Sequence, residues 1–118
     1  MASTVLIVDD HPSFRATARA LLEADGFDVV GEARDGREGL ELATRLHPDV
    51  VLLDVQLPDT TGFDVARTLA HSNGGGPAIV LVSSRDASDY GDEISACGAR
   101  GFVPKGELSG AAVRALLP

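Results

Sequence analysis

Four places in the sequence carry side chains that could together transfer a phosphoryl group. They are the acid pair Asp9 and Asp10, the acid Asp54, the hydroxyl of Ser83 and the ammonium of Lys105. A carboxylate can act as a nucleophile, and carboxylate oxygens can bind a hard cation. An ammonium and a hydroxyl can bind phosphoryl oxygens, and catalysis of this reaction depends mainly on positioning and charge neutralisation. These residue types predict a phosphoryl-transfer site if the fold brings them together.

Each of these residues comes at the end of a short apolar run that is typical of a buried strand. A weaker run, from Asp28 to Ala33, contains Gly31 and precedes no comparable side chain. We expect this weaker strand to lie at an edge of the sheet. The other predicted strands are Thr4 to Val8, Val50 to Leu53, Ala78 to Val82 and Gly101 to Val103.

Apolar residues at helical spacing predict a helix after every strand. Ser13 is a candidate N-cap of the first helix, and Gly26 suits the left-handed position after it. The first two helices are expected to bury Phe14, Ala18, Leu21, Leu22, Leu40, Ala43 and Leu46. The predicted helices are Ser13 to Ala24, Gly36 to Leu46, Phe63 to Ala70, Ser88 to Ala96 and Glu107 to Leu117, and Ser72 to Pro77 is a predicted Gly-rich loop.

The alternation of strands and helices predicts an α/β fold with a parallel sheet covered on both faces. Ligands of such sheets bind beyond the carboxyl ends of the strands, which is where the acids, Ser83 and Lys105 fall. Each of these residues alone fits a turn or a solvated surface. Their joint occurrence at the ends of four strands favours a single site.

Three carboxylates at one edge repel each other, and a bound cation would relieve that repulsion. Mg²⁺ fits because it binds one or two carboxylates, keeps several waters and often works with phosphate. The sequence therefore predicts that Asp9, Asp10 and Asp54 lie at a Mg²⁺ site.

Composition limits the classes of function. The chain has 118 residues, 44% of them hydrophobic, which predicts one folded domain spanning 1–118. Its net charge of −8 argues against direct binding to nucleic acids or anionic lipid. The lone cysteine excludes an internal disulfide, and the sequence has no signal peptide or membrane-spanning run, so we expect a cytoplasmic location.

Several motifs resemble those of bacterial two-component receiver domains, and the resemblance covers nearly the whole chain. The opening Val8-Asp9-Asp10-His11-Pro12 resembles the acidic pair of that family, and the segment from Leu53 to Asp59 resembles the region of the accepting aspartate. Val82-Ser83-Ser84 and the segment from Gly98 to Lys105 resemble the switch and lysine segments. The family implies a flavodoxin-like (βα)5 doubly wound sheet with strand order 2-1-3-4-5.

The resemblance also implies a role for each residue. Asp54 would accept the phosphoryl group, Lys105 would pair with it, and Ser83 would bond one of its oxygens. Asp9, Asp10, Asp54 and the backbone carbonyl of Gln56 would hold Mg²⁺. Phe102 is either a switch aromatic that turns inward or a plain core residue.

Details of the motifs resemble the NarL/LuxR subgroup, whose members usually carry a C-terminal DNA-binding domain. The chain is then a stand-alone receiver or an excised domain of such a regulator. The implied phosphoryl donor is a sensor histidine kinase or a phosphotransfer protein, and homodimerisation would follow phosphorylation. Gly106 stands where most receivers have proline after the lysine, which predicts a more mobile loop there.

Three other functions are weighed against this one. An aspartyl phosphohydrolase typically has a second acid two residues after its nucleophile, where this chain has Gln56. A nucleotide-binding module would have a Gly-rich turn where Asp9-Asp10-His11-Pro12 stands. A degenerate receiver acting only as a protein-interaction platform is the alternative that the sequence leaves open, although it would not need the full set of acids, hydroxyl and lysine. We therefore expect a signalling phosphoacceptor rather than an enzyme.

Overall fold

A parallel sheet of five strands forms the centre of the chain, in the order β2-β1-β3-β4-β5. The computed structural model describes residues 2–70 and 76–117. The predicted flavodoxin-like topology is confirmed, with β2 at one edge as expected. The strands are β1 (Thr4–Val8), β2 (Asp28–Ala33), β3 (Val50–Asp54), β4 (Ala78–Ser83) and β5 (Gly101–Pro104).

The first three predicted helices are confirmed to within one residue, and the last two are shorter than predicted. The helices are α1 (Pro12–Ala24), α2 (Gly36–Leu46), α3 (Gly62–Ala70), α4 (Glu93–Ala96) and α5 (Gly110–Arg114), with 3₁₀ turns at Ala87–Asp89 and Lys105–Glu107. The predicted loop from Ser72 to Pro77 lies mostly outside the described residues. None of the helices within 2–70 and 76–117 is long and apolar enough to cross a membrane.

The predicted helix from Ser88 to Ala96 is wrong in its first half. Gly91 has a φ of 58°, so the chain leaves the helical region between the 3₁₀ turn and α4. The predicted helix from Glu107 to Leu117 is also too long. Its start is delayed until Ser109, whose side chain accepts a hydrogen bond from Ala112 N at 3.0 Å and caps α5.

Ser13 does not cap α1. The N-cap position belongs to His11, and Pro12 is the first helical residue, where the missing N–H of proline costs nothing. The predicted left-handed position after α1 is confirmed, since Gly26 has a φ of 90°.

Two apolar layers cover the two faces of the sheet, because successive side chains of each strand point to opposite faces. In β1, Leu6 and Val8 belong to one layer, and Val5 and Ile7 belong to the other. The second layer also contains Ala18 and Leu22 of α1 and Val113 of α5, whereas α2 and α3 pack on the first. The expectation that Leu21 and Leu46 are buried is wrong, since they are 39% and 37% exposed.

Asp25, at the end of α1, anchors α5. Its carboxylate accepts a hydrogen bond from Gly110 N at 2.8 Å, and its carbonyl accepts one from the Arg114 guanidinium. That guanidinium also lies 4.6 Å from the centre of the Phe27 ring. These contacts attach the short α5 to the body of the domain.

Gly62 lets the first turn of α3 lie directly against the end of β3. A Cβ atom at this position would come within 2.3 Å of the carbonyl oxygen of Asp54, which is a backbone atom and cannot move aside cheaply. The N–H of Gly62 also donates to the carbonyl of Val55 at 2.7 Å. The close contact therefore fixes the backbone that carries Asp54.

We predict that Gly62→Ala lowers the free energy of unfolding by about 1–3 kcal/mol, the usual cost of overpacking a rigid site. Gly106→Ala is the matched control, because nothing lies within 4 Å of a Cβ built there. Urea unfolding of both variants measures the effect. Equal midpoints for the two variants would contradict the proposed close packing.

Candidate functional site

The carboxyl edge of the sheet brings Asp9, Asp54 and Lys105 into contact. Asp9 follows β1, Asp54 is the last residue of β3, and Lys105 follows β5. Both carboxylates are buried, with Asp9 0% and Asp54 3% exposed. Lys105 Nζ lies 2.6 Å from Asp9 Oδ2 and 3.4 Å from Asp54 Oδ2. The ammonium therefore bridges the two acids that the sequence analysis assigned to one site.

Oxygen and nitrogen ligands converge at this edge. Asp9, Asp10, His11 and Asp54 each offer one ligand atom, and these atoms lie within 4.8 Å of one another. Asp9 Oδ2 is buried and has no hydrogen-bond partner of good geometry among the described residues, although Lys105 lies close to it. One ammonium cannot neutralise all these carboxylates. The donor set thus fits a divalent cation held mainly by oxygens.

Asp54 is held in an environment that disfavours its charge. Burial, followed by the negative charge of Asp9, raises the pKa of Asp54 to about 6 from its ordinary value of 3.8. The ammonium of Lys105 and a hydrogen bond from Gln56 N, 3.3 Å from Asp54 Oδ1, oppose that rise. In the absence of a metal ion, any further positive charge at the site would therefore stabilise the charged form of the Asp54 carboxylate.

Residues of α1 and the turn before it hold Asp9 and Lys105 in place. Asp9 Oδ1 accepts a hydrogen bond from His11 N at 2.8 Å, and the carbonyl of Asp9 accepts one from Arg15 Nη1 at 2.6 Å. Lys105 Nζ lies 4.4 Å from the centre of the Phe14 ring, within the range of a cation–π contact. Sequence reasoning assigned none of these supporting roles. Only the position of His11 beside the acid pair could have suggested one.

Ser83 is buried at the end of β4 but is not hydrogen-bonded to the acids. Its Oγ lies 2.7 Å from the hydroxyl of Tyr90 and accepts a hydrogen bond from Arg85 N at 3.0 Å. Sequence reasoning missed Tyr90, because nothing in a strand-end pattern identifies a residue seven positions further along the chain.

Phe102 and Gln56 lie close to this edge. Phe102 of β5 is partly buried and packs on the apolar layer formed with α2 and α3, where its ring centre lies 5.9 Å from that of Tyr90. Gln56 is exposed and contacts Asp54 through its backbone N–H. The roles assigned to these two residues remain predictions.

The loop between β3 and α3 is tied to α2 by Asp59. Its two carboxylate oxygens accept hydrogen bonds from Gly36 N at 2.9 Å and Arg37 N at 3.0 Å. These bonds lower the pKa of the exposed Asp59 carboxyl, in contrast to the raised pKa of Asp54. Asp54 at the end of β3 and Asp59 in the following loop thus have opposite electrostatic environments.

Comparison with protein families identifies one match, to the family described as the response regulator receiver domain, over residues 5–115. Among curated proteins, the nitrate/nitrite response regulator protein NarP of Escherichia coli is 42% identical over 102 residues, covering 86% of this chain and 47% of NarP. The DNA-binding transcriptional activator EvgA of the same species is 34% identical, covering 86% of this chain and 50% of EvgA. The chain thus spans about half the length of these relatives.

Solved structures show the same fold. A two-component response regulator of the LuxR family from Aurantimonas superposes with a TM-score of 0.86 at 30% identity, covering 98% of this chain and 86% of that structure. The chemotaxis response regulator CheY4 of Vibrio cholerae superposes with a TM-score of 0.85 at 27% identity, covering 99% and 100% respectively.

We predict that Asp54→Asn stabilises the metal-free protein at neutral pH. An acid with a pKa near 6 when folded and 3.8 when unfolded holds its proton more tightly in the folded state. The free energy of unfolding therefore falls as the pH rises between these values. At pH 7.5 the variant should gain on the order of 2 kcal/mol, and the gain should shrink as the pH is lowered toward 4.

Urea unfolding in the presence of a chelator, measured across that pH range, tests this prediction. Asp59→Asn is the comparison variant with the opposite sign, because the pKa of Asp59 is lowered and its charged form is stabilised by the folded state. It should be less stable than the wild type at pH 7.5. A lower stability of Asp54→Asn at pH 7.5 would contradict the raised pKa.

Proposed function

This chain belongs to the response regulator receiver domain family, and we propose that it accepts a phosphoryl group on Asp54 in two-component signalling. The observation that supports this most directly is the ammonium of Lys105, which is partly buried and lies between the buried carboxylates of Asp9 and Asp54. An ammonium at that place can neutralise the charge of a phosphoryl oxygen that is transferred to Asp54. An ion pair that served only to stabilise the fold would not need to lie beside a second carboxylate. The proposed receiver domain spans 1–118.

The proposed reaction is a single phosphoryl transfer. A carboxylate oxygen of Asp54 forms a bond to phosphorus, and the bond from phosphorus to the donor breaks. The donor is a phosphohistidine of a sensor histidine kinase or a phosphotransfer protein, or a small acyl phosphate. Lys105 is proposed to pair with one phosphoryl oxygen, and Ser83 to donate its hydroxyl proton to another.

Mg²⁺ is the proposed cofactor. Asp9, Asp10 and Asp54 would hold it, together with the backbone carbonyl of Gln56 and with His11 close by. When bound, the ion would supply positive charge to the phosphoryl oxygens during transfer. The buried Asp9 carboxylate and the closeness of the donor atoms support this assignment. The chain's own contribution is to hold these acids close together before the ion arrives.

We further propose that the signal leaves this domain as a change of shape. Ser83 would follow the phosphoryl group, and Phe102 would respond, which would alter the face formed by α4, β5 and α5 and could support a homodimer. The named relatives NarP and EvgA, matched over half their lengths, favour a role as the receiving part of a transcription regulator. With a net charge of −8, this chain itself is not the part expected to bind DNA.

Acetyl phosphate with Mg²⁺ should add one phosphoryl group to the wild-type chain, as read by intact-mass spectrometry. Asp54→Ala should abolish the addition, because it removes the nucleophile. Asp64→Ala is the control, since Asp64 is exposed on α3 and pairs with Arg67. Phosphorylation that persists in Asp54→Ala would exclude Asp54 as the acceptor.

Lys105→Ala should reduce the rate of phosphorylation by at least tenfold, because one phosphoryl oxygen loses its counter-charge. Its folding should be affected much less, because the apolar layers on the two faces of the sheet, and not the Lys105 side chain, supply most of the stability of the domain. The thermal unfolding midpoint, measured beside the rate, separates the two effects. If the thermal unfolding midpoint fell so far that Lys105→Ala was largely unfolded at the assay temperature, the loss of phosphorylation would indicate a structural role instead.

Mg²⁺ should raise the thermal unfolding midpoint of the wild type, because a ligand that binds only the folded state stabilises it by mass action. Asp9→Asn should remove most of that increase, and Asp64→Asn should leave it unchanged. Differential scanning fluorimetry with and without millimolar Mg²⁺ measures the shift. An undiminished shift in Asp9→Asn would place the ion elsewhere.

A further inference from the structure

We infer that Tyr90 is a positioning residue that holds the hydroxyl of Ser83 away from Asp54 until a phosphoryl group is present. This inference rests on the proposed function and adds a residue to it. Tyr90 lies between the 3₁₀ turn at Ala87–Asp89 and α4, outside the set of strand-end residues.

The hydroxyl of Ser83 already has partners in the β4–α4 segment. Its Oγ lies 2.7 Å from the Tyr90 hydroxyl and accepts a hydrogen bond from Arg85 N at 3.0 Å. A serine hydroxyl has one proton and two lone pairs, so these partners occupy much of its capacity. Among the described residues, no hydrogen bond joins Ser83 to Asp54 or Lys105. In this state, Ser83 is therefore bonded away from the acids.

The position of the Tyr90 hydroxyl is set by packing of its ring and not by Ser83 alone. The ring makes an edge-on contact with Phe63 of α3, with centres 5.5 Å apart, and a tilted contact with Phe102 of β5 at 5.9 Å. Both distances lie within the favourable range for aromatic pairs. Because Phe63 is 4% exposed and anchored in the core, the ring cannot simply follow Ser83 if that side chain turns.

Ser83 must therefore give up the bond to Tyr90 when it turns to bind a phosphoryl oxygen. The net free energy of a hydrogen bond between neutral groups changes an equilibrium constant by about three- to tenfold. Loss of this bond would also release the Tyr90 hydroxyl, and Tyr90 is followed in the sequence by Gly91, where a φ of 58° already interrupts the helix. The three rings of Phe63, Tyr90 and Phe102 then connect the state of Ser83 to α3 and β5.

Affinity for beryllofluoride, a phosphoryl mimic, tests the inference in the presence of saturating Mg²⁺. Tyr90→Phe retains the ring and removes only the hydroxyl, so it should bind beryllofluoride about three- to tenfold more tightly in calorimetric titrations. Ser83→Ala should bind more weakly than the wild type. In the Ser83→Ala background, Tyr90→Phe should have no further effect, because there is no hydroxyl left to hold. Thr68→Ala, which removes an exposed hydroxyl on α3, is the control and should match the wild type.

Tyrosine fluorescence gives a second and independent reading, since Tyr90 is the only tyrosine and the chain has no tryptophan. Emission of the wild type should change when beryllofluoride binds. Free Ser83→Ala should already show the emission of the bound wild type and should change little on adding the mimic. A purely structural role of Tyr90 would not produce this pattern.

Two results would overturn the inference while leaving the proposed function intact. One is unchanged or weaker beryllofluoride binding by Tyr90→Phe, and the other is an effect of Tyr90→Phe that persists in the Ser83→Ala background. If the wild type bound no beryllofluoride and accepted no phosphoryl group, the proposed function itself would fail. Comparison of the wild type with Asp54→Ala separates that failure from a failure of the inference.

Discussion

Two buried carboxylates share one ammonium at the edge of this sheet. The other properties of the site depend on this excess of negative charge. Asp9 and Asp54 have almost no contact with solvent, and Lys105 reaches both. Burial makes each negative charge costly, and proximity makes the pair more costly still. A site that is short of positive charge favours the binding of a cation. A change in the charge on Asp54 therefore changes the relative stability of the conformations of this site.

The core of the domain maintains this costly arrangement. Residues on both faces of β1 and β3 are buried in apolar layers, so the strands that carry the acids cannot spread apart to relieve the repulsion. The close approach of Gly62 to the Asp54 carbonyl and the contact of Phe14 with Lys105 add local restraint. The stability of the hydrophobic layers thus offsets the electrostatic cost at the edge of the sheet. This division of roles explains why the site lies where the strands end and the apolar layers stop.

On the β4 side, the site is linked to a weakly structured part of the chain. The segment after Ser83 contains a 3₁₀ turn, a glycine in a left-handed conformation and an α4 of only four residues. Few backbone hydrogen bonds hold such a segment, so small changes in side-chain bonding can shift its conformation. Tyr90 belongs to this segment, and its ring packs against Phe102 of β5. The structure therefore places its least regular elements beside the group proposed to sense phosphorylation.

The sequence alone determined the order of strands and helices and the edge at which the acids meet. Continuous β-branched runs such as Val50 to Leu53 mark buried parallel strands, and parallel strands end at a common edge, so Asp9, Asp54 and Lys105 could be placed together. The tertiary structure decided which groups each side chain contacts. The contact of Phe14 with Lys105 and the exposure of Leu21 depend on packing between segments that are distant in the sequence. The bond of Tyr90 to Ser83 depends on the irregular path of the chain over the seven positions that separate them. The lengths of the last two helices were likewise decided by capping and by the φ of Gly91, because local propensity was too weak to define them. Periodicity fixes the direction of a side chain, but its partner depends on how the elements pack.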